Sequence, residues 1–253
     1  MNELLENERI DVINERLSLI QKKEGLTFGT DAYLLAAFMK GEARQRAVEL
    51  GAGTGVISLL CASRGRFAHI DAFEVQEDFA DLAKRNAELN GLLERITVHC
   101  ADIREINAST LGYEADAVFA NPPYMRTDSG KRNLSDYKYI ARHEVCGDIA
   151  DFCAAAGRLL RHGGRFYCVF RPDRLNELFC GMRESRLTPK KMIFVHADAE
   201  SEPSMALVEA VKGGAEGMRV GPPIFLFEES DGKRSESRQS KRIYEGMEIE
   251  WSI

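Results

Sequence analysis

Short apolar runs alternate with longer amphipathic segments between residues 30 and 211. The short runs predict strands, and segments with apolar positions three and four apart predict helices. Strands are predicted at 47–50, 69–73, 96–100, 116–120, 165–170, 190–197 and 205–211. Helices are predicted at 32–40, 56–64, 76–90, 148–160 and 173–184. This alternation predicts an α/β fold with a mostly parallel sheet and helices on both faces. The turn-rich residues 199–204 predict that the last two strands pair antiparallel.

The two ends of the chain have a different pattern. Apolar residues at Ile10, Ile13, Leu17 and Ile20 fit either a short helix or a strand-edge extension, and their spacing does not decide between them. The last residues contain a local basic run, which indicates a tail; its members are Lys233, Arg234, Arg238, Lys241 and Arg242. We therefore predict an extension at 1–29, one domain at 30–227 and a tail at 228–253.

The predicted strand at 116–120 is followed directly by Asn121-Pro122-Pro123-Tyr124. The two prolines have φ fixed near −65° and donate no backbone hydrogen bond, so they hold a rigid corner at the ligand-binding edge of the sheet. The Asn121 side-chain oxygen and the Pro122 carbonyl could accept both hydrogens of a conjugated amine. Tyr124 offers a face for a planar group to stack on. An ordinary turn that ends a strand is the alternative interpretation.

A glycine loop follows the strand at 47–50. Gly51, Gly53 and Gly55 let a ligand approach the backbone, and the helix after them presents amides to an anion. Position 56 is valine, so the G-x-G-x-x-G dinucleotide pattern is absent. Glu49 before the loop suits an ammonium group, and the loop amides suit a carboxylate. The pattern therefore favours a ligand with an amino-acid moiety.

Acidic residues stand at two further strand ends and before the first helix of the domain. Glu74 follows Gly55 by 19 positions, about the interval at which an acid meets ribose hydroxyls in such folds. Asp102 could accept the exocyclic amine of adenine or cap the next segment. Thr30 or Asp31 is predicted as the N-cap of the helix at 32–40, where it could also lie over the mouth of the glycine loop.

The segment 125–147 is long and polar for an α/β connection. It mixes basic residues with Tyr137 and Tyr139, which favours an RNA-binding loop, although a solvated surface loop has the same composition. The basic residues are Arg126, Lys131, Arg132, Lys138 and Arg142.

Composition narrows the class of protein. The chain has 253 residues, 44% of them hydrophobic, which suits one domain with a sizeable core. Its net charge of −6 means that a nucleic-acid substrate needs a local basic patch. We expect no signal peptide, no membrane span and no metal. The cysteines form no CxxC pair, which predicts free core thiols in the cytoplasm.

Taken in order, Glu49 to Gly55, Glu74, Asp102 and Asn121 to Tyr124 resemble the class I S-adenosylmethionine-dependent methyltransferases, in the branch that methylates amino groups. The segments 22–38, 141–144 and 208–227 are similar to the bacterial tRNA (valine) adenine-N6 methyltransferase family. The resemblance implies a Rossmann-like sheet and S-adenosylmethionine as cofactor. It also implies tRNA as partner.

The resemblance assigns roles to particular residues. It implies that Asn121 and Pro122, with Pro123 and Tyr124 beside them, form the catalytic corner, and that Thr30 and Asp31 close over the methionine end of the cofactor. The other implied cofactor-binding residues are Glu49, Gly51, Gly53, Gly55, Glu74, Val75 and Asp102, with Asn121 touching both ligands.

The implied reaction is N6-methylation of the adenosine beside the anticodon. Methylation of guanine N2 in ribosomal RNA or of a protein glutamine uses the same corner, so both stay open. A non-catalytic module that binds cofactor or RNA is the alternative from another class.

Overall fold

The computed structural model of the protein describes residues 4–23, 29–123, 147–230, 232–246 and 249. The strands are β1 (Glu8–Asn14), β2 (Leu17–Lys22), β3 (Arg46–Leu50), β4 (His69–Glu74), β5 (Ile96–Cys100), β6 (Ala115–Ala120), β7 (Leu160–Phe170), β8 (Leu187–His196), β9 (Pro203–Lys212), β10 (Arg219–Val220), β11 (Ile224–Phe225), β12 (Phe227–Ser230) and β13 (Lys233–Glu236). The α-helices are α1 (Thr30–Phe38), α2 (Val56–Ala62), α3 (Glu77–Leu89), α4 (Ala108–Leu111), α5 (Ile149–Leu159), α6 (Leu175–Glu184) and α7 (Arg238–Tyr244), and a 3-10 helix spans Pro172–Arg174.

A nine-stranded sheet organises the described part of the chain. Its main path runs β10-β8-β9-β7-β6-β3-β4-β5, and β11 extends the edge beside β8. Strands β3 to β7 are parallel to one another, and β9 lies antiparallel between β7 and β8. The predicted α/β fold with a mostly parallel sheet and an antiparallel last strand is confirmed.

The register aligns the ends of the central strands. Leu50 of β3 lies level with Phe73 of β4 and with Ala120 of β6. The residues that follow these positions therefore emerge together at one edge of the sheet, which is the edge where open α/β sheets bind ligands.

Alternate residues of the strands build two cores. Phe119 of β6 is fully buried on the face covered by α1 and α2. Its neighbour Val118 is fully buried on the opposite face, against α5 and α6. Helix α5 begins where the sequence predicted, because Asp148 and Asp151 form a capping box that satisfies the first backbone donors.

The N-terminal region is a β-hairpin. Strands β1 and β2 pair antiparallel with each other and lie apart from the main sheet. The hairpin packs on α3, where Arg85 donates to the buried carboxylate of Glu8 at 2.7 Å. Of the two structures left open for this region, the helix is wrong, and the strands form their own two-stranded sheet.

The described part of 228–253, which we predicted as a tail, folds onto the body. Strands β12 and β13 form a hairpin, and α7 buries Ser240 and Ile243. The backbone N–H of Ile249 donates to the carbonyl of Ala37 in α1 at 3.1 Å. This segment therefore completes the surface around α1.

Cysteine exposure differs in part from the prediction of core thiols. Cys61, Cys153 and Cys168 are buried, whereas Cys100 and Cys180 are exposed, and all five are free. Across the residues that the structure describes, no helix is long and apolar enough to cross a membrane. Within the same residues, no group of three or more His, Cys, Asp or Glu side chains is placed to hold a metal ion.

Candidate active site

The glycine loop between β3 and α2 has a backbone that only glycine adopts easily. Gly51, Gly53 and Gly55 have φ of +70°, +54° and +79°, which lie in the left-handed region. Among the residues that the structure describes, a Cβ added at Gly53 would meet nothing within 4 Å, so these residues leave open space in front of it. At Gly51 the same atom would approach the ring of Phe152 to 3.3 Å. The loop thus leaves room at its centre for a ligand to reach the backbone.

Glu74 joins the glycine loop to the end of β4. One carboxylate oxygen accepts the N–H of Gly53 at 2.8 Å, and the other accepts the N–H of Gln76 at 2.9 Å. The side chain is 4% exposed. Glu74 therefore fixes the loop against the start of α3. Val75 is the residue between Glu74 and Gln76 in the sequence. The ribose contact predicted for Glu74 stays a prediction.

Glu49 lies beneath the loop inside β3 and is 1% exposed. Its carboxylate accepts hydrogen bonds from the N–H of Ser58, at 3.1 Å, and from the Ser58 hydroxyl. Burial raises the pKa of Glu49 to about 8, and the nearby charge of Glu74 acts in the same direction, while the bonds from Ser58 oppose both. The structure thus places Glu49 under the loop with Ser58 as its partner, and its contact with an ammonium group stays a prediction.

Asp102 follows β5 at the same edge. Its carboxylate accepts from the backbone N–H of Arg104 at 2.8 Å and from the Arg104 guanidinium. The guanidinium is the main reason that the pKa of Asp102 lies below its ordinary value. The acid is therefore charged, and its predicted contact with an adenine amine would compete with Arg104.

Asn121 stands at the end of β6, as the sequence predicted, and contacts α1. Its Nδ2 donates to Oδ2 of Asp31 at 2.7 Å. The other oxygen of Asp31 accepts from the N–H of Ala32 at 3.0 Å. Pro122 is buried and Pro123 is half-buried, so the corner is packed rather than exposed. This contact orients the Asn121 side chain so that its NH2 group faces α1.

The predicted N-cap of α1 is wrong. The helix begins at Thr30 itself, and Gly29 occupies the N-cap position without a side-chain hydrogen bond. Thr30 instead shares a hydrogen bond with the hydroxyl of Tyr244 in α7 at 2.8 Å. The apolar run begins at Ala32, two residues after the start of the helix, and the two residues before it, Thr30 and Asp31, have polar partners from distant parts of the chain. Thr30 faces α7, and Asp31 reaches the corner.

Asn86 of α3 supports the site, and the sequence analysis did not single it out. Its side chain is fully buried, accepts from the N–H of Ile20 at 2.6 Å, and donates to the carbonyls of Ile20 and Thr54. It therefore joins the N-terminal hairpin to the glycine loop. The sequence does contain a signal for this role: Asn86 lies on the apolar face of an amphipathic helix, where a polar group needs partners.

The rest of the predicted substrate site lies outside the described residues. This applies to Tyr124 of the corner and to the five predicted RNA-binding residues, Arg126, Lys131, Arg132, Lys138 and Arg142. Their roles stay predictions.

The edge of the sheet where β3, β4 and β6 end thus brings together three features. They are the open glycine loop after β3, Glu74 at the end of β4, and the Asn121-Pro122 corner after β6. Residues 23–179 match the family model of the methyltransferase small domain, and the chain belongs to that family.

Several relatives of the chain have names that are more specific than that of the family. A protein named tRNA1(Val) (adenine(37)-N6)-methyltransferase from Dyadobacter fermentans is 28% identical over 201 residues, which cover 79% of this chain and 81% of the relative. A protein of the same name from Phocaeicola vulgatus is 31% identical over 180 residues, covering 71% and 74%. One from Cronobacter sakazakii is 33% identical over 153 residues, covering 60% of each chain.

Solved structures support the same fold. A predicted O-methyltransferase from Agrobacterium tumefaciens matches with a TM-score of 0.69 at 21% identity, covering 87% of this chain and 98% of that chain. Geranyl diphosphate C-methyltransferase from Streptomyces coelicolor, crystallised with S-adenosyl-L-homocysteine, matches with a TM-score of 0.51 at 14% identity, covering 71% and 78%. At such identities the likeness shows the fold alone.

Proposed function

We propose that this protein transfers the methyl group of S-adenosylmethionine to N6 of an adenine in tRNA, at the adenosine beside the anticodon. The observation that carries the proposal is the Asn121-Pro122 corner at the end of β6, on the edge that also presents the open glycine loop. Membership of the methyltransferase family supports the reaction type. The shared name of the relatives supports adenine N6 in tRNA.

The residues at the glycine loop fit the cofactor. The open space at Gly53 admits a ligand to the backbone, and the start of α2 suits an anionic group such as a carboxylate. In this proposal, Glu74 at the end of β4 accepts hydrogen bonds from the ribose hydroxyls of the cofactor, and Asp102 after β5 accepts one from its adenine amine. When bound, S-adenosylmethionine supplies an electrophilic methyl group on a sulfonium and leaves as a neutral thioether.

The corner prepares the nucleophile. The exocyclic nitrogen of adenine is a weak nucleophile because its lone pair is delocalised into the ring. The Asn121 oxygen and the Pro122 carbonyl accept its two hydrogens and draw the nitrogen towards tetrahedral geometry. A nitrogen–carbon bond then forms as the sulfur–carbon bond breaks, and the extra proton leaves the nitrogen for solvent. Catalysis by these residues is positioning together with electrostatic stabilisation.

The base must leave its stack to reach the corner. A base in an RNA loop is already partly unstacked, so its extrusion costs less than flipping from a duplex. Tyr124 is the residue that we expect to stack on it. A tRNA substrate also agrees with the cytoplasmic location expected from the sequence.

The direct test uses bulk tRNA from a strain that lacks the gene. Purified protein is incubated with this tRNA and S-adenosylmethionine labelled in its methyl group, and the product is digested to nucleosides. We expect label in N6-methyladenosine, lost when the adenosine beside the anticodon is changed. The same incubation is repeated with ribosomal RNA and with cell protein, and label in N2-methylguanosine or in a glutamine there, with none in tRNA, would contradict the proposal.

A further inference from the structure

Tyr244 at the end of α7 contacts the beginning of α1 in two ways. Its hydroxyl shares a hydrogen bond with the Thr30 hydroxyl at 2.8 Å. Its ring meets the ring of Tyr33 edge to face, with the centroids 4.9 Å apart and the planes at 84°. Thr30 and Tyr33 are three positions apart in α1, so they lie on the same face of the helix. Tyr244 therefore holds that face with one polar and one aromatic contact.

Helix α7 is itself anchored at both ends. At its start, Ser237 accepts from the N–H of Ser240 at 3.0 Å, and the Ser237 hydroxyl donates to the carbonyl of Phe225 at 2.6 Å. Near its end, Ile243 is 3% exposed and packs in the same hydrophobic core as the buried side chains of α1. These contacts fix the position of α7, so Tyr244 reaches α1 from a helix that is held firmly on the protein.

The first turn of α1 depends on contacts of this kind. Gly29 at the N-cap makes no side-chain hydrogen bond, so α1 begins without the side-chain cap that usually stabilises a helix start. Asp31 in the same turn accepts from Nδ2 of Asn121 at 2.7 Å. Successive residues of a helix point about 100° apart, so Thr30 and Asp31 face different partners. Tyr244 and Asn121 therefore hold the first turn from different sides.

We propose that Tyr244 is a positioning residue for the methyl transfer and acts on the Asn121 amide through the first turn of α1. Its hydroxyl fixes Thr30, and the next residue, Asp31, turns the NH2 group of Asn121 towards α1. The Asn121 oxygen then points away from α1, towards the place that we propose for the target amine. This inference rests on the proposed function and adds to it a residue from the segment that the sequence predicted to be a tail.

The test compares two tyrosine-to-phenylalanine variants that each remove one hydroxyl. Tyr244→Phe loses the bond to Thr30 and retains the ring beside Tyr33. The matched control is Tyr113→Phe, because Tyr113 is also half-buried and its hydroxyl donates to another side chain, that of Asp71, at 2.5 Å. Tyr113 packs against the core on the face of the sheet opposite α1. The control should lose at least as much stability, since a hydrogen bond to a charged group is the stronger one.

The kinetics should separate the two variants. Tyr244→Phe is expected to lower kcat about 3- to 10-fold, which is the factor that corresponds to the net free energy of one hydrogen bond. Its KM for tRNA and its affinity for S-adenosylmethionine should stay within about twofold of the wild type, because an interaction made only in the transition state lowers kcat and kcat/KM alike. Tyr113→Phe should lower the melting temperature and keep the wild-type kcat.

A double variant tests whether Tyr244 acts through Asp31. In Asp31→Ala the carboxylate that holds Asn121 is absent, so adding Tyr244→Phe should lower kcat no further. Residues that act through one chain of contacts are not additive in free energy, whereas independent residues multiply their effects on the rate. A double variant whose loss of kcat equals the product of the two single losses would overturn the inference.

The two proposals fail in different ways. A wild-type kcat in Tyr244→Phe, or an equal fall of kcat in Tyr113→Phe, would overturn this inference while N6-methyladenosine formation by the wild type still stands. A wild-type protein that methylates no adenine in tRNA would overturn the proposed function and this inference together.

Discussion

Asn121 donates its Nδ2 hydrogen to Asp31 at 2.7 Å, although the two residues lie 90 positions apart. A carboxylate only accepts hydrogen bonds, so the amide must turn its NH2 group towards Asp31. The Asn121 oxygen is then directed away from α1. Asp31 is therefore a positioning residue for the group that we propose to accept the target amine.

Asp31→Ala should lower kcat by about 10- to 100-fold, since small errors in positioning cost this much. Asp31→Asn should be equally impaired, because its own NH2 allows the Asn121 amide to reverse. Glu88→Ala serves as the control, since Glu88 is an exposed acid near the end of α3. A loss of cofactor affinity with unchanged kcat would show that Asp31 acts on the cofactor alone.

Asn121→Ala should abolish detectable turnover and leave cofactor binding largely intact. The variant removes one of the two proposed acceptors but none of the glycine loop. Single-turnover methylation and calorimetric titration with S-adenosylmethionine measure the two properties separately. Near-normal turnover by this variant would refute activation of the amine by Asn121.

Glu49→Gln should change how stability depends on pH. The unfolded chain releases the Glu49 proton near its ordinary pKa of 4.5, whereas the folded protein keeps it until a pKa of about 8. Wild-type stability contributed by this group is therefore complete below pH 4.5 and declines as pH rises to about 8. Each pKa unit corresponds to about 1.4 kcal/mol, so the variant should gain a few kcal/mol relative to wild type across this window.

Chemical denaturation between pH 5 and pH 8 measures this difference. The matched control is Glu88→Gln, an exposed acid near the end of α3, whose stability curve should run parallel to that of the wild type. Parallel curves for Glu49→Gln as well would show that its carboxyl titrates normally.

Gly53→Ala should weaken cofactor binding beyond the effect of the backbone strain that alanine introduces. Alanine in the left-handed region costs about 1 to 2 kcal/mol. Gly91 provides the matched control, because its φ is +65° and an added Cβ there also meets none of the described residues within 4 Å. Both variants should lose similar stability, and only Gly53→Ala should weaken S-adenosylmethionine binding, by at least tenfold. Equal cofactor affinities would show that the ligand does not approach the loop at Gly53.

Asn86→Ala should weaken both folding and cofactor binding. It leaves the N–H and carbonyl of Ile20 and the carbonyl of Thr54 without their side-chain partner, at a cost of about 3 kcal/mol. Asn90→Ala is the control, because the hydrogen bonds of Asn90 within the described part of the chain go to Ser18 of the hairpin and to Asn86, and not to the loop. A thermal melt and a cofactor titration compare the two variants. Unchanged cofactor affinity in Asn86→Ala would show that the link between the hairpin and the glycine loop does not affect cofactor binding.

Local signals were sufficient to predict the sheet and its edge. The glycine loop and the Asn121-Pro122 corner are short sequence motifs whose backbone demands are set by glycine and proline themselves. The positions of Glu74 and Asp102 follow because parallel strands end at one edge. Their ligand contacts do not follow, because the N–H groups of Gly53 and Gln76 already engage Glu74, and Arg104 engages Asp102.

Distant partners explain what the sequence did not predict. The N-terminal hairpin depends on Asn86, which is 66 positions from Ile20. The true start of α1 depends on contacts of Thr30 and Asp31 that span 214 and 90 positions. Such pairings leave no periodic signal, so propensity alone placed the N-cap of α1 too late and left 228–253 as a tail.

The contact between Thr30 and Tyr244 has a consequence for the time course of biosynthesis. At about 5 to 20 residues per second, roughly 10 to 40 s pass on the ribosome between the synthesis of these two residues. During that interval α1 has no C-terminal helix to pack against. The corner that depends on Asp31 therefore reaches its final geometry late, and a nascent chain should gain methyl-transfer competence only after α7 has emerged.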